Sequence, residues 1–251
     1  MSTIAVVPAR GGSKGIINKN LQEIYGKSLV EIAVGYALRS QVCEKIILST
    51  DSLSIASKFL DKAALNEFQK MDVNGILQTD TGFLIHKRSA KYATSEAKTI
   101  DVILEIMKYL NHQDTDYILL LQPTSPFRST VELRQLLEKV DESGAKSCIS
   151  AKRFDSPHPD KRIRVNKGRI LLEENTLRFT TTPRQQLDSY HVFDGAFYLT
   201  QAKHLRSARS FIESSTLIFE REGLWTINID NEEDLEFARF IAQKRPWMLK
   251  T

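Results

Sequence analysis

The chain has 251 residues, of which 41% are apolar and 26% charged, with a formal net charge of +4 and a pI near 8.9. That composition suits a folded α/β protein, expected as a single domain over residues 1–251, and excludes a disordered or collagen-like chain. No block of about five or six like charges occurs, which argues against a nucleic-acid tail, and no apolar run approaches the ~20 residues of a membrane span.

In chain order, the first short apolar run is Ile4-Ala5-Val6-Val7, followed by Ile46-Ile47-Leu48 and by Tyr117-Ile118-Leu119-Leu120-Leu121. Continuous runs of this kind read as strands buried on both faces. Helical patterns are expected near residues 29–40, 53–69, 97–110 and 130–142. Strands alternating with helices predict an α/β fold with a mostly parallel, doubly wound sheet. The pattern changes after about residue 147: Ile163-Arg164-Val165 and Ile170-Leu171-Leu172 flank Asn166-Lys167-Gly168, a hairpin signature. Residues 150–190 are therefore expected to leave the main sheet as a small arm. Ala196-Phe197-Tyr198-Leu199 and Trp225-Thr226-Ile227-Asn228-Ile229 are expected to return to it, and a last helix begins after Asp230.

Cys43 and Cys148 lie far apart and form no CxxC pair, so two reduced, buried thiols are expected. The N-terminus enters a strand almost at once without a charged leader and apolar segment, which predicts a cytoplasmic protein. His86, His112, His158, His191 and His204 are scattered and show no metal-ligand spacing. Trp225 and Trp247 read as packing residues.

The most informative local segment is Pro8-Ala9-Arg10-Gly11-Gly12-Ser13-Lys14-Gly15-Ile16-Ile17-Asn18-Lys19-Asn20, directly after the first strand. Glycines let the backbone bring N–H groups close to a ligand, and Arg10, Lys14 and Lys19 add cations. At the carboxyl end of a first parallel strand, such a loop is suited to an anion, and a triphosphate is a good match. It is neither a Walker A loop nor a dinucleotide fingerprint, because GxxxxGK[ST] and GxGxxG are both absent.

The run from Ala9 to Gly15, followed by Lys19-Asn20, resembles the signature of the acylneuraminate cytidylyltransferases, also called CMP-sialic acid synthetases. Further segments match that family in order: Leu120-Leu121-Gln122-Pro123-Thr124-Ser125-Pro126-Phe127-Arg128, Pro183-Arg184-Gln185-Gln186-Leu187, Asp194-Gly195-Ala196-Phe197-Tyr198 and Ile229-Asp230-Asn231-Glu232-Glu233-Asp234-Leu235. The resemblance implies a Rossmann-like nucleotidyltransferase fold, CTP as donor, a nine-carbon sialic-acid-like sugar acid as acceptor, Mg²⁺ (or Mn²⁺) as cofactor, and a homodimer held by the arm. N-acylneuraminate is the first-choice acceptor, with legionaminate, Kdo and pseudaminate as alternatives, and the implied process is sugar activation for cell-surface polysaccharides. By the same resemblance Arg10, Gly12, Ser13, Lys14, Asn20, Arg88, Ala97 and Thr99 would bind the nucleotide, with Lys19, Arg10 and Lys14 acting on the phosphates. Gln122, Arg184, Asp194, Tyr198 and Phe211 would line the acceptor pocket, joined by Lys161 from the arm. Asp230 matches the family's metal aspartate. Where the family often has Asp-x-Asp, this chain has Asn228-Ile229-Asp230, leaving Asn228 as a second, uncharged metal candidate.

Asp230 also has a structural reading, as an N-cap with Glu233 three residues on. Asn228 keeps open a catalytically weak nucleotide-sugar binding protein. A glycosyltransferase would need an Asp-x-Asp after a central strand, and none is convincing here.

Overall fold

The computed structural model describes residues 2–13, 15–154, 158–159, 163–171, 182–223 and 225–249, without the side chains of Arg184, Trp247 and Met248. Lys14 and Lys161 lie outside the described residues, as does much of the expected arm.

The strands are β1 (Thr3–Pro8), β2 (Glu23–Ile24), β3 (Lys27–Ser28), β4 (Lys45–Thr50), β5 (Ile76–Gln78), β6 (Leu84–Lys87), β7 (Tyr117–Leu120), β8 (Ser147–Arg153), β9 (Arg164–Asn166), β10 (Arg169–Leu171), β11 (His191–Gln201) and β12 (Leu217–Glu220). The helices are α1 (Leu29–Ser40), α2 (Leu53–Ala56), α3 (Lys62–Lys70), α4 (Thr99–Tyr109), α5 (Thr130–Ser143), α6 (Ala202–Ala208) and α7 (Glu232–Lys244). Among the described residues, eight strands form the main sheet in the order β12-β8-β11-β7-β1-β4-β6-β5. β11 and β5 run antiparallel to their neighbours, and the other pairings in the sheet are parallel.

β1 is buried on both faces, which is why it reads as an unbroken apolar run. Its Ala5 and Val7 pack with Val30, Ala33 and Ala37 of α1 and Leu133 and Leu136 of α5. Ile4 and Val6 face the other way, onto Val102, Ile103 and Ile106 of α4 and Leu205 of α6. Helices thus cover both faces, as a doubly wound sheet requires. α1 begins with Ser28, whose side chain accepts from Glu31 N–H while Glu31 accepts from Ser28 N–H at 2.9 Å, a reciprocal cap.

Four sequence expectations are corrected. The 53–69 helix is two helices, because Asp61 accepts from Ala64 N–H at 2.8 Å and caps a new start. Trp225–Ile229 is not a strand: Ile229 is buried with Ile16, Leu235 and Phe127 under α7, and its N–H bonds the Thr124 carbonyl at 2.8 Å. Burial against a helix and a loop accounts for its apolar alternation. The outer strand is instead β12, parallel to β8. The departure from the sheet is narrower than 150–190, since β8 runs to Arg153 and β11 starts at His191. Within it, β9 and β10 form the expected hairpin, pairing only with each other among the described residues. Cys148 is buried and Cys43 is partly exposed; both thiols are free, and burial pushes each up to about 11.

Candidate active site

β1 lies between β7 and β4, where the winding of the sheet reverses. Loops from the carboxyl ends of β1, β6 and β7 meet there, the position at which open α/β sheets bind ligands. They enclose a cavity of about 410 Å³ lined by Pro8, Arg10, Ser13, Gly15, Lys19 and Asn20 from the first loop, by Arg88, Tyr92, Ser95, Ala97, Thr99 and Val102, and by Gln122, Pro123 and Thr124. Of the expected nucleotide residues, Arg10, Ser13, Lys19, Asn20, Arg88, Ala97 and Thr99 converge here, with Gln122 from the acceptor set. Gly12 is exposed on the same loop.

The first loop is tied down near both of its ends. Asn20 is buried and donates to the Arg10 carbonyl at 2.9 Å. Gly11 N–H donates to Asp51 Oδ1 at 3.0 Å. A Cβ on Gly15 would lie 2.9 Å from the Asp230 carbonyl, so only glycine lets the loop pass so close to the last motif. Ile16 anchors the far side beneath α7.

Lys19 links that loop to the last motif. Its Nζ donates to the Ile229 carbonyl at 2.9 Å and lies 3.5 Å from Asp230 Oδ1. The lysine side chain is 16% exposed and the aspartate 71%. Asn228 Nδ2 donates to Asp230 Oδ2 at 3.0 Å, while Asn228 Oδ1 accepts from Ser125 Oγ at 3.3 Å. The amide oxygen expected to face a metal is therefore turned towards Ser125, and Asn228 steadies Asp230 as a donor. The helix cap is not Asp230 but Asn231, which accepts from Asp234 N–H at 2.9 Å, while Asp234 accepts from Asn231 N–H. The carboxylate of Asp230 is left open beside Lys19.

Arg88 is buried at the cavity wall. Its Nε donates to Ser49 Oγ at 3.1 Å and its Nη2 to the Ser49 carbonyl at 2.8 Å. Burial, together with nearby Arg10, pulls the guanidinium down to about 10, and Asp51 opposes this, so the side chain remains a cation near neutral pH.

The other acceptor residues are placed differently. Asp194 is a core residue: its carboxylate takes Arg221 Nη1 at 2.7 Å, Ala196 N–H at 3.1 Å and the Ser150 hydroxyl, leaving no face for a sugar. Arg221 also bonds Glu132 at 3.0 Å and the Phe127 carbonyl at 2.8 Å. Burial works against its charge, but Glu132 and Asp194 outweigh it and hold the guanidinium above its ordinary value. Tyr198 and Phe211 stack edge-on at 5.9 Å between centroids and pack against the α4 face of the core, not among the cavity-lining residues. Arg184 starts a short 3-10 turn, and its side chain is outside the description. Gly195 has φ +74°, and a Cβ there would meet Gln122 Oε1 at 2.9 Å, so this bend packs directly under the cavity-lining glutamine.

Sequence reasoning missed Tyr92, Ser95, Val102, Pro123 and Thr124 on the lining. Pro123 and Thr124 sat inside a quoted motif; Tyr92 and Ser95 had no local signal beyond their nearness to Arg88.

Comparison with known proteins supports the resemblance read from the motifs. A cytidylyltransferase family model matches residues 4–64. The chain is 28% identical to an Escherichia coli N-acylneuraminate cytidylyltransferase, over 96% of this chain but 52% of that protein's length. It is 27% identical to a Campylobacter jejuni pseudaminic acid cytidylyltransferase, covering 96% of each. It is 28% identical to a Legionella pneumophila CMP-N,N'-diacetyllegionaminic acid synthase, covering 86% of this chain and 85% of that one. In structure it resembles a CMP:2-keto-3-deoxy-manno-octonic acid synthetase complexed with CTP, with a TM-score of 0.64 and 15% identity, covering 97% of this chain and 100% of the other. The α/β nucleotidyltransferase fold and the likeness to CMP-sialic acid synthetases follow together. Among the described residues no helix is long and apolar enough to cross a membrane.

Proposed function

We propose that this chain is a cytidylyltransferase that joins CTP to a nonulosonic acid, N-acylneuraminate first, releasing pyrophosphate and a CMP-sugar. The convergence of Arg10, Ser13, Lys19, Asn20 and Arg88 with Gln122 on one cavity at the sheet's switch point carries the reading. In the reaction, the anomeric hydroxyl oxygen of the acceptor attacks the α-phosphorus. The bond from that phosphorus to the bridging oxygen breaks, pyrophosphate leaves with the electron pair, and the hydroxyl proton passes to water. A protein aids such a transfer mainly by positioning and fixed charge. Arg10, Lys19 and the backbone of the first loop supply these, with Lys14 assigned beside them by resemblance.

Mg²⁺ or Mn²⁺ fits the donor set at Asp230: one open carboxylate, beside a cavity sized for a ligand that brings its own phosphate oxygens. When bound, the ion neutralises charge on the phosphates. Among the described residues no group of three or more His, Cys, Asp or Glu is arranged so that it could hold a metal ion.

The protein is also read as a cytoplasmic homodimer. The β9–β10 hairpin leaves Val165 62% and Ile170 55% exposed, and an isolated two-stranded hairpin is marginal in water unless something packs on it. Asp194 is dropped from the acceptor contacts; Gln122, Arg184, Tyr198, Phe211 and Lys161 are retained by resemblance.

Pyrophosphate release tests the proposal. CTP should be preferred to UTP, ATP and GTP, with N-acetylneuraminate, legionaminate, pseudaminate and Kdo compared as acceptors. Equal turnover with UTP, or no release with any of the four acids, would sink it. CTP binding without turnover would favour the weak nucleotide-sugar binder that Asn228 keeps open.

A further inference from the structure

His86 is buried in the middle of β6 and plays no part in the chemistry described above. It is the register partner of Ser49 on the adjacent strand β4. His86 Nδ1 lies 3.0 Å from Ser49 Oγ. Ser49, itself fully buried, receives Arg88 on both its hydroxyl and its carbonyl. The same carbonyl accepts Ala9 N–H at 2.9 Å, at the root of the first loop. Ser49 is thus the point where the cavity arginine and the phosphate loop are joined.

The proton count on this chain has one economical solution. Arg88 Nε can only donate, so Ser49 Oγ accepts from it. If the imidazole also donated to Oγ, the serine proton would have no acceptor and the imidazole's other nitrogen would be a second stranded group. If instead the serine donates to Nδ1, only the Nε2–H is left over. Among the described residues His86 Nε2 has no partner, so that nitrogen is left over in either arrangement, and only the first strands the serine proton as well. A buried polar group without a partner costs free energy, so the arrangement with one is preferred to the arrangement with two.

We propose that His86 and Ser49 form a positioning relay for Arg88: Nδ1 of His86 accepts the hydrogen bond of the serine O–H, so that the serine turns only its lone pairs to Arg88 and fixes the guanidinium against the cavity wall. The remaining N–H donors of Arg88 are then aimed without a search through rotamers. Burial, reinforced by the Arg88 charge and opposed by Glu105 from α4, pulls His86 down to about 4, so the ring stays neutral at physiological pH. The inference rests on the reading of this cavity as the CTP site and assigns two residues that touch no substrate.

The test is CTP affinity of the full chain by calorimetry, with thermal denaturation of every variant to confirm folding. Arg88→Met should weaken CTP binding by about ten- to a hundredfold, and Ser49→Ala by about tenfold. His86→Leu should act in the same direction, whereas His86→Asn, which offers an oxygen near the Nδ1 position, should recover most of the affinity. The Ser49→Ala, His86→Leu double variant should bind no worse than Ser49→Ala alone, because both changes remove one relay. If Arg88→Met weakens CTP but Ser49→Ala does not, the relay is wrong and the CTP site stands. If Arg88→Met binds CTP normally, the nucleotide role of Arg88 fails, and the relay with it. Nitrogen NMR of the wild-type chain decides the tautomer without any variant: a proton on Nδ1 of His86 overturns the proposal.

Discussion

The two sides of the cleft are built in opposite ways. On the side proposed for the nucleotide, seven of the expected residues arrive at one cavity, and Lys19, Asn20 and Arg88 among them are held by hydrogen bonds to backbone carbonyls. On the side proposed for the acceptor, Asp194 is locked into an ion pair with Arg221, and Tyr198 and Phe211 pack on each other. On the proposed reading the nucleotide side holds a triphosphate, a task a preformed loop can do locally. The acceptor side carries its charges inside as framework: Arg221 ties β12 to the end of β7's loop through Phe127, to α5 through Glu132 and to β11 through Asp194. Framework residues and contact residues can share one motif, and only burial tells them apart.

That contrast can be broken most severely at Arg221. Arg221→Met should cost about 3–5 kcal/mol of folding stability, because it leaves Asp194 buried without its cation. Chemical denaturation measures it, and a loss within about 0.5 kcal/mol would show that the pair is not a framework. Lys19→Ala should leave stability nearly intact while lowering kcat by about a hundred- to a thousandfold, since on the proposed reading its charge would act where phosphate charge develops. Unchanged kcat under saturating CTP would remove Lys19 from the reaction. The smallest effect is expected at Asn228. Asn228→Asp should lower the Mg²⁺ concentration for half-maximal rate by a few-fold, by adding a carboxylate next to Asp230. An unchanged Mg²⁺ dependence would place residue 228 outside the metal's reach.

Much of this protein was legible before its structure. The β1, β4 and β7 runs are apolar because both their faces are covered, and that leaves a mark in any short window. The first loop announces itself by glycines and cations in ten residues, and α7 by the acidic first turn after Asp230. The motif order then pointed to the correct fold. Other features had no local mark. Trp225–Ile229 has the alternation of a strand but spends it on α7 and Ile16. Asp194 resembles a ligand-binding carboxylate until Arg221, 27 residues on, is seen against it.

What the sequence alone determined was the set of parts: buried strands, capped helices, an anion-suited loop and a hairpin. These depend on periodicity, on turn chemistry and on neighbours within a few residues. Only the tertiary structure decided which polar groups face the cavity and which face each other. Ser49 and His86 meet because β4 and β6 pair in one register, and Lys19 meets Asp230 because α7 packs over the first loop. Such pairings join residues tens to hundreds of positions apart, and a buried polar group takes whatever partner the packing brings within hydrogen-bonding distance.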